Sequence, residues 1–269
     1  MFKIQHLAME QSLVPHRPNR EGDQADARYA SRATYIAFEW TWFDARRIIS
    51  GSAGVALTGN IGEFMSATID VYYDFRSPYA YFANHRIREG SFAPPAPVDW
   101  LWRPVSIDVL LNLQAEREAW AAYSDPLSGP KRAHLLADVR RNASFYNVRL
   151  RPPKPPRPNS IPALCVAALL GSEGQDDFRN AVFDALWRDQ RDISDLNVLA
   201  ECLTRAGGHP DLVDRAFAPE AQEALALETR RAYAKGVFGV PSFVYDDEVF
   251  FGNDRLDMLG WRLGHVAQA

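Results

Sequence analysis

TIDVYYDFRSPYAYF, residues 68–82, changes its period halfway along. Ile69, Val71, Tyr73 and Phe75 alternate with more polar positions, the signature of a strand with one buried face. The alternation stops at Arg76-Ser77-Pro78, and Tyr79–Arg88 is compatible with a helix. Pro78 suits the first helical turn, where its missing N–H costs nothing, and Ser77 suits the N-cap. The Ser77 hydroxyl therefore stands at a strand-to-helix junction, where free backbone N–H groups and the helix dipole favour an anion. A cysteine there would be a low-pKa thiol. A serine cannot do redox chemistry, but it can donate a hydrogen bond to a thiolate brought in from outside. A plain helix cap explains Ser77 equally simply.

The complementary stretch is KGVFGVPSFVYDDEVFFGNDRLDML, residues 235–259. Gly236 and Gly239 bracket Val237-Phe238. Val240-Pro241 leads into a strand (Ser242–Tyr245), an acidic turn (Asp246-Asp247), a second strand (Glu248–Phe251) and a helix opened by Gly252-Asn253-Asp254. Val240-Pro241 is a candidate cis peptide, since X–Pro bonds are the only common cis bonds. A turn feeding an edge strand is the simpler reading of Gly239-Val240-Pro241, and capping alone accounts for Asn253-Asp254.

FRSPYAYFANHRI at 75–87, GVFGVPSF at 236–243 and GNDRLDML at 252–259, with the fainter Lys131, His134, Asp138, Arg141 pattern, resemble the 2-hydroxychromene-2-carboxylate isomerases. More broadly they resemble the kappa-class glutathione transferases within the thioredoxin-like DsbA superfamily. The likeness spans about 66–265. It implies an α/β, thioredoxin-like fold with an inserted helical domain: 66–105 and 236–265 form the thioredoxin-like part and 106–235 the insertion. Ser77 then occupies the place of a redox enzyme's first cysteine, and Ala80 that of the second. The resemblance implies glutathione as cofactor, held by Ser77, Val240, Phe251, Gly252, Asn253 and Asp254, with Ser77 catalytic. Asp254 would pair with the ammonium of the γ-glutamyl end, and the helix amides with its carboxylate. The implied reaction is isomerisation of a 2-hydroxychromene-2-carboxylate-like small aromatic molecule to trans-o-hydroxybenzylidenepyruvate in aromatic catabolism, by a cytoplasmic homodimer.

The sequence departs from that pattern in places. His134 stands where relatives tend to carry an aromatic, Phe250-Phe251 replaces a tryptophan pair, and Asp246-Asp247 lacks a glycine. Lys131 and Arg141, with Arg103, are the candidates for a substrate carboxylate, and Asn159, after the proline run, is a further candidate to reach the substrate. A solvated charged helix face or a helix cap would explain the same residues. Arg255 is expected to pair with a nearby acid.

Composition limits the alternatives. The 269 residues are 47% hydrophobic, enough for a sizeable core, and a net charge of −4 argues against nucleic acid or an anionic membrane as partner. No apolar run approaches the roughly eighteen residues of a membrane span. Cys165 and Cys202 form no C-x-x-C, so they read as buried helical thiols, and a reducing cytoplasm fits. The six histidines show no metal-ligand spacing. Neither a phosphate loop nor a G-x-S-x-G elbow occurs.

Residues 1–64 differ from the rest: seven basic residues balance seven acidic ones, and no regular period appears. Met65 just precedes the first strand, so 1–64 read as a disordered extension or a mis-assigned start. A secretory reading of Arg46-Arg47 followed by residues 48–57 is opposed by a long, acidic leader.

Past Pro94-Pro95-Ala96-Pro97, a strand is expected at Val98–Arg103, then a largely helical region. Lys131–Val148 places Leu135, Leu136, Val139, Ala143 and Tyr146 on one face. PPKPPRP, 152–158, reads as extended linker. Asn159-Ser160 would cap a helix at Ile161–Leu170. Further helices are expected at Gln175–Gln190, Leu196–Ala206 (capped by Asp195 and stopped by Gly207) and Glu220–Lys235. Besides the isomerase, three functions remain open: a kappa-like transferase or peroxidase, a non-catalytic glutathione-binding module and, least supported, a dithiol oxidoreductase.

Overall fold

The computed structural model describes residues 66–122, 127–171 and 174–266. The expectations for 1–64 and Met65 fall outside the described residues. Strand β1 (Ala67–Tyr73) is followed by helix α1 (Pro78–Arg88) and strand β2 (Val98–Pro104). The next described elements are all helical: α2 (Ile107–Gln114), α3 (Gly129–Phe145), α4 (Ile161–Leu170), α5 (Gln175–Trp187), α6 (Leu196–Arg205), α7 (Asp211–Ala216) and α8 (Pro219–Ala234). Strands β3 (Ser242–Tyr245) and β4 (Glu248–Phe251) precede a 3-10 turn at Asn253–Arg255 and helix α9 (Leu256–Val266). The strand order is β2-β1-β3-β4. β2 runs parallel to β1, which needs the α1 crossover, while β3 and β4 pair antiparallel, Asp70 facing Val244 and Phe243 facing Phe250.

One local rule is met by an unusual residue pair. The β3–β4 hairpin turns on Asp246 and Asp247, with φ of 50° and 61°. A two-residue hairpin demands positive φ at both central positions, and aspartate tolerates it better than most side chains.

The sheet corrects the expected single buried face of the first strand. Ile69, Val71, Tyr73 and Phe75 join the main core, where the rings of Phe75 and Phe183 lie 5.0 Å apart. Tyr72, on the other face, is buried as well, among Val105, Leu110, Val237, Val240 and Val244. Helices cover both faces of β1, as is usual for a strand with a parallel neighbour.

The expected apolar face of α3 forms but is only half-buried, with Val139, Ala143 and Tyr146 packed against the main core. No α3 residue is fully buried, and Leu136 is 58% exposed. The helix lies over the site as a cover, tethered by polar contacts described below.

Elsewhere the ends shift by a residue or a turn. α5 stops at Trp187 rather than Gln190. Asp195 caps α6 through Asn197 N, and Gly207 follows it with φ 74°. Asn159, not Ser160, caps α4, its Oδ1 accepting from Ile161 N at 3.1 Å. The proline run bends at 154–157 instead of staying uniformly extended, with a cis bond at Lys154-Pro155. Cys165 and Cys202 are buried free thiols; burial pushes Cys165 up to about 11 and raises Cys202 too. No described helix is long and apolar enough to cross a membrane.

Candidate functional site

Ser77 caps α1, its Oγ accepting from Ala80 N at 3.2 Å. The same hydroxyl donates its proton to Val240 O, also at 3.2 Å, across 163 positions of sequence. Val240-Pro241 is cis. Ser77 is only 5% exposed, so the contact sits at the floor of the site.

The loop that carries Ser77 is pinned from several sides. Buried Asp74 accepts from Arg76 N (2.9 Å) and Ile107 N (3.0 Å), tying the loop to the start of α2. Trp187 Nε1 donates to Phe75 O at 2.8 Å, and Ser77 N donates to Asp74 O at 3.0 Å. The Arg76 guanidinium pairs with Asp108 at 2.8 Å. These contacts fix the backbone that aims the hydroxyl.

Two cavities adjoin at this point. The first, about 510 Å³, is lined by Val240, Pro241, Phe251, Gly252, Asn253 and Asp254 on one side and by Tyr79, Asp138 and Asn142 on the other. The second, about 760 Å³, has Ser77 at one end and is walled mainly by Leu111, Trp120, Ile161, Trp187 and prolines of the 152–158 run. Leu135 lines both, and the Ser77–Val240 hydrogen bond bridges them. Both volumes suit small-molecule sites.

The rim of the first cavity is shaped by its glycine and a buried arginine. Gly252 has φ 111°, a conformation L side chains rarely adopt, and a Cβ there would stand 2.5 Å from Asp254 Oδ1. Arg86 of α1 is buried and donates to Asn253 O and Asp257 Oδ1, each at 2.8 Å. Its guanidinium also lies over the Tyr146 ring, 4.6 Å from the centroid. Asn253 Nδ2 is buried with no hydrogen-bond partner among the described residues, an arrangement that usually answers to a ligand or water. Asp254 is exposed, and its nearest cation is the expected Arg255 at 3.8 Å.

Across the cavity Tyr79 Oη donates to Asp138 Oδ2 at 2.7 Å, joining α1 to α3. Burial and then this bond push the Tyr79 phenol well above its ordinary value. The same bond, followed by Arg141, holds the Asp138 carboxyl below the usual carboxylate range.

The expected residues divide cleanly by position. Val240, Phe251, Gly252, Asn253 and Asp254 line the first cavity and Ser77 the second. Lys131, Arg141 and Asn159 line neither. Lys131 is exposed on the first turn of α3, Arg141 pairs with Asp138 at 3.0 Å, and Asn159 caps α4. Arg103 pairs with Asp70 at 3.1 Å on the sheet. Sequence reasoning missed Arg86, although it lies inside the 75–87 motif, because nothing local says that its charge turns inward. It also passed over Arg157, which lines the second cavity from within the proline run.

Comparisons with known proteins agree with this fold. A family model described as a DSBA-like thioredoxin domain matches residues 68–264. A 2-hydroxychromene-2-carboxylate isomerase of Sphingobium xenophagum is 30% identical over 72% of this chain and 97% of its own length. A solved structure of such an isomerase superposes with TM-score 0.63 at 24% identity, covering 75% of this chain and 96% of its own. The cytosolic disulfide reductase DsbM of Pseudomonas aeruginosa, solved with GSH, superposes at TM-score 0.52 and 14% identity, over 75% of this chain and all of its own, and so shares the fold.

Proposed function

Because the chain belongs to the DsbA-like thioredoxin domain family, and within it to the 2-hydroxychromene-2-carboxylate isomerases, we propose that the Ser77–Val240 junction is the centre of a glutathione-dependent isomerase. The substrate is a 2-hydroxychromene-2-carboxylate-like molecule from aromatic degradation, and the product the corresponding trans-o-hydroxybenzylidenepyruvate. The observation that carries the reading is one hydroxyl at a helix N-terminus, bonded to Val240 O at 3.2 Å between two cavities.

The residues present suit the tripeptide. Val240 O has Ser77 as its only described donor, and Val240 N–H donates to no described group. An extended peptide pairs with such an N–H and C=O on one residue. Buried Asn253 Nδ2 offers an unused donor, and the exposed Asp254 carboxylate suits an ammonium. When bound, glutathione supplies a thiolate able to add reversibly to a conjugated carbon, so that the former double bond can turn and the cofactor is not consumed.

The protein's own part is to hold charge and geometry. Ser77 Oγ has a single proton, and the bond it now makes to Val240 O is the one that can be redirected to a sulfur anion. The first-turn amides of α1 add a favourable field at the same place. The loop pinned by Asp74, Arg76 and Trp187 keeps that donor oriented, so little reorganisation is needed. The tryptophan and aliphatic walls of the second cavity exclude water from an aromatic substrate. The reading carries with it a cytoplasmic homodimer, a thioredoxin-like part at 66–105 and 236–265, and a substrate-covering insertion at 106–235.

The test is turnover of 2-hydroxychromene-2-carboxylate with and without glutathione, while the glutathione titre is followed. Isomerisation that requires glutathione and leaves its titre constant is expected. Turnover in its absence, stoichiometric loss of the thiol, or binding without turnover each overturns the reading.

A further inference from the structure

We propose that Arg157 binds the carboxylate of the substrate, in the cavity it shares with Ser77. The inference rests on the isomerase reading and identifies which cation that reaction uses.

Charge is sparse along the second cavity. Its charged lining residues are Arg76, Asp108 and Arg157. Arg76 and Asp108 answer each other at 2.8 Å, and buried Asp74 lies 3.9 Å from the same guanidinium. Arg157, exposed on its side of the cavity, makes no ion pair or hydrogen bond among the described residues, so it is the one cation of the described lining without an acidic partner. The chromene acid and its ring-opened product each carry one carboxylate at neutral pH. The rest of the wall is apolar or aromatic, matching the remainder of those molecules.

The backbone favours this role. Pro156 and Pro158 flank Arg157, and the residue before a proline is confined to extended conformations. Part of the ordering cost of ligand binding is therefore already met in the free protein. A guanidinium is also the side chain best shaped to meet a carboxylate with two parallel hydrogen bonds. The other candidate cations do not line this cavity: Lys131 and Arg141 line neither, Arg255 lines only the first and lies 3.8 Å from Asp254, and Arg141 and Arg103 are already paired with Asp138 and Asp70.

The test uses Arg157→Gln and Arg157→Lys beside the wild-type full-length chain, with thermal unfolding as the check on folding. Calorimetry without glutathione measures binding of trans-o-hydroxybenzylidenepyruvate and of its methyl ester, which lacks the charge. Wild-type protein is expected to prefer the acid by about fivefold, the upper worth of an exposed ion pair. Arg157→Gln should abolish that preference, and Arg157→Lys should restore part of it. In turnover with glutathione, Arg157→Gln should raise KM about fivefold while kcat falls less, because an anchor that holds ground and transition states alike acts on KM. An acid–ester preference that survives in Arg157→Gln, or is absent from the wild type, overturns the assignment. So does a wild-type chain that binds neither compound. A wild type that binds the acid selectively but turns over nothing would instead sink the isomerase reading and leave Arg157 as the carboxylate anchor.

Discussion

Ser77→Ala removes one oxygen that makes two bonds, and each loss reads out in a different assay. As acceptor from Ala80 N at 3.2 Å, the hydroxyl caps α1. Losing such a cap costs about 1 kcal/mol, and in a folded unit near 200 residues that lowers the melting temperature by about 2–4 °C. As donor, the hydroxyl now serves the neutral Val240 carbonyl at 3.2 Å. Moving that proton to a thiolate replaces a bond of about 0.5–1.5 kcal/mol with one of about 1.5–3 kcal/mol, a net gain near 1–2 kcal/mol. Since 1.36 kcal/mol corresponds to one pH unit, the bound glutathione thiol should titrate about one unit higher in Ser77→Ala than in wild type. The assay is the ultraviolet absorbance of the thiolate in mixtures of protein and glutathione across pH, with free glutathione subtracted. Turnover should fall by about a hundredfold, since a donor aimed at developing charge is worth more in the transition state. A bound thiol that titrates identically in both proteins, or a kcat within about threefold of wild type, refutes the role given to the hydroxyl.

Asp254 is 69% exposed on its side chain and, among the described residues, its ion pair is with Arg255 at 3.8 Å, so Asp254→Asn should leave stability within about 0.5 kcal/mol of wild type. Glutathione affinity, followed by calorimetry, should nevertheless weaken by up to about fivefold, the worth of one exposed ion pair; unchanged affinity would separate Asp254 from the cofactor. Tyr79→Phe should alter both ends of the pH–stability curve. The raised phenol contributes stability that is full below its unfolded value near pH 10 and lost as pH climbs through the folded value. The depressed Asp138 carboxyl contributes stability that is full above about pH 4 and lost as pH falls through its folded value. Denaturant unfolding should thus show less loss at both extremes in Tyr79→Phe, although Tyr81, held up at about 12, keeps an alkaline limb of its own. Curves that run parallel from acid to alkali would show the Tyr79–Asp138 bond to be energetically silent.

Much of the fold is legible in local pattern. The break at Arg76-Ser77-Pro78 marks a strand meeting a helix, and Ser77, Asp195 and Gly207 act at the ends assigned to them, because capping needs only neighbours in sequence. The double aspartate turn is the counterexample: sequence flags a missing glycine, while the hairpin accommodates two aspartates at positive φ. Helical periodicity holds for α3 only in part. Its apolar positions recur at the right spacing and Val139, Ala143 and Tyr146 do pack against the core, yet Leu135 lines the cavities and Leu136 faces solvent. The proline run, read as linker, is a wall of that cavity.

The sequence alone established a strand, a serine cap and a Val-Pro turn, each with a plain structural explanation. It also carried the two end motifs whose resemblance points to the family. Tertiary structure decided that the serine proton reaches Val240 O, since no local rule joins groups 163 positions apart. It likewise separated the cations: Arg103 and Arg141 are paired on the sheet and on α3, Lys131 stands in solvent, and Arg157 borders the cavity without a partner among the described residues. The reason is physical. Capping and turn formation are settled by atoms a few residues apart, whereas the energy of a charge depends on which opposite charges and how much water folding leaves beside it.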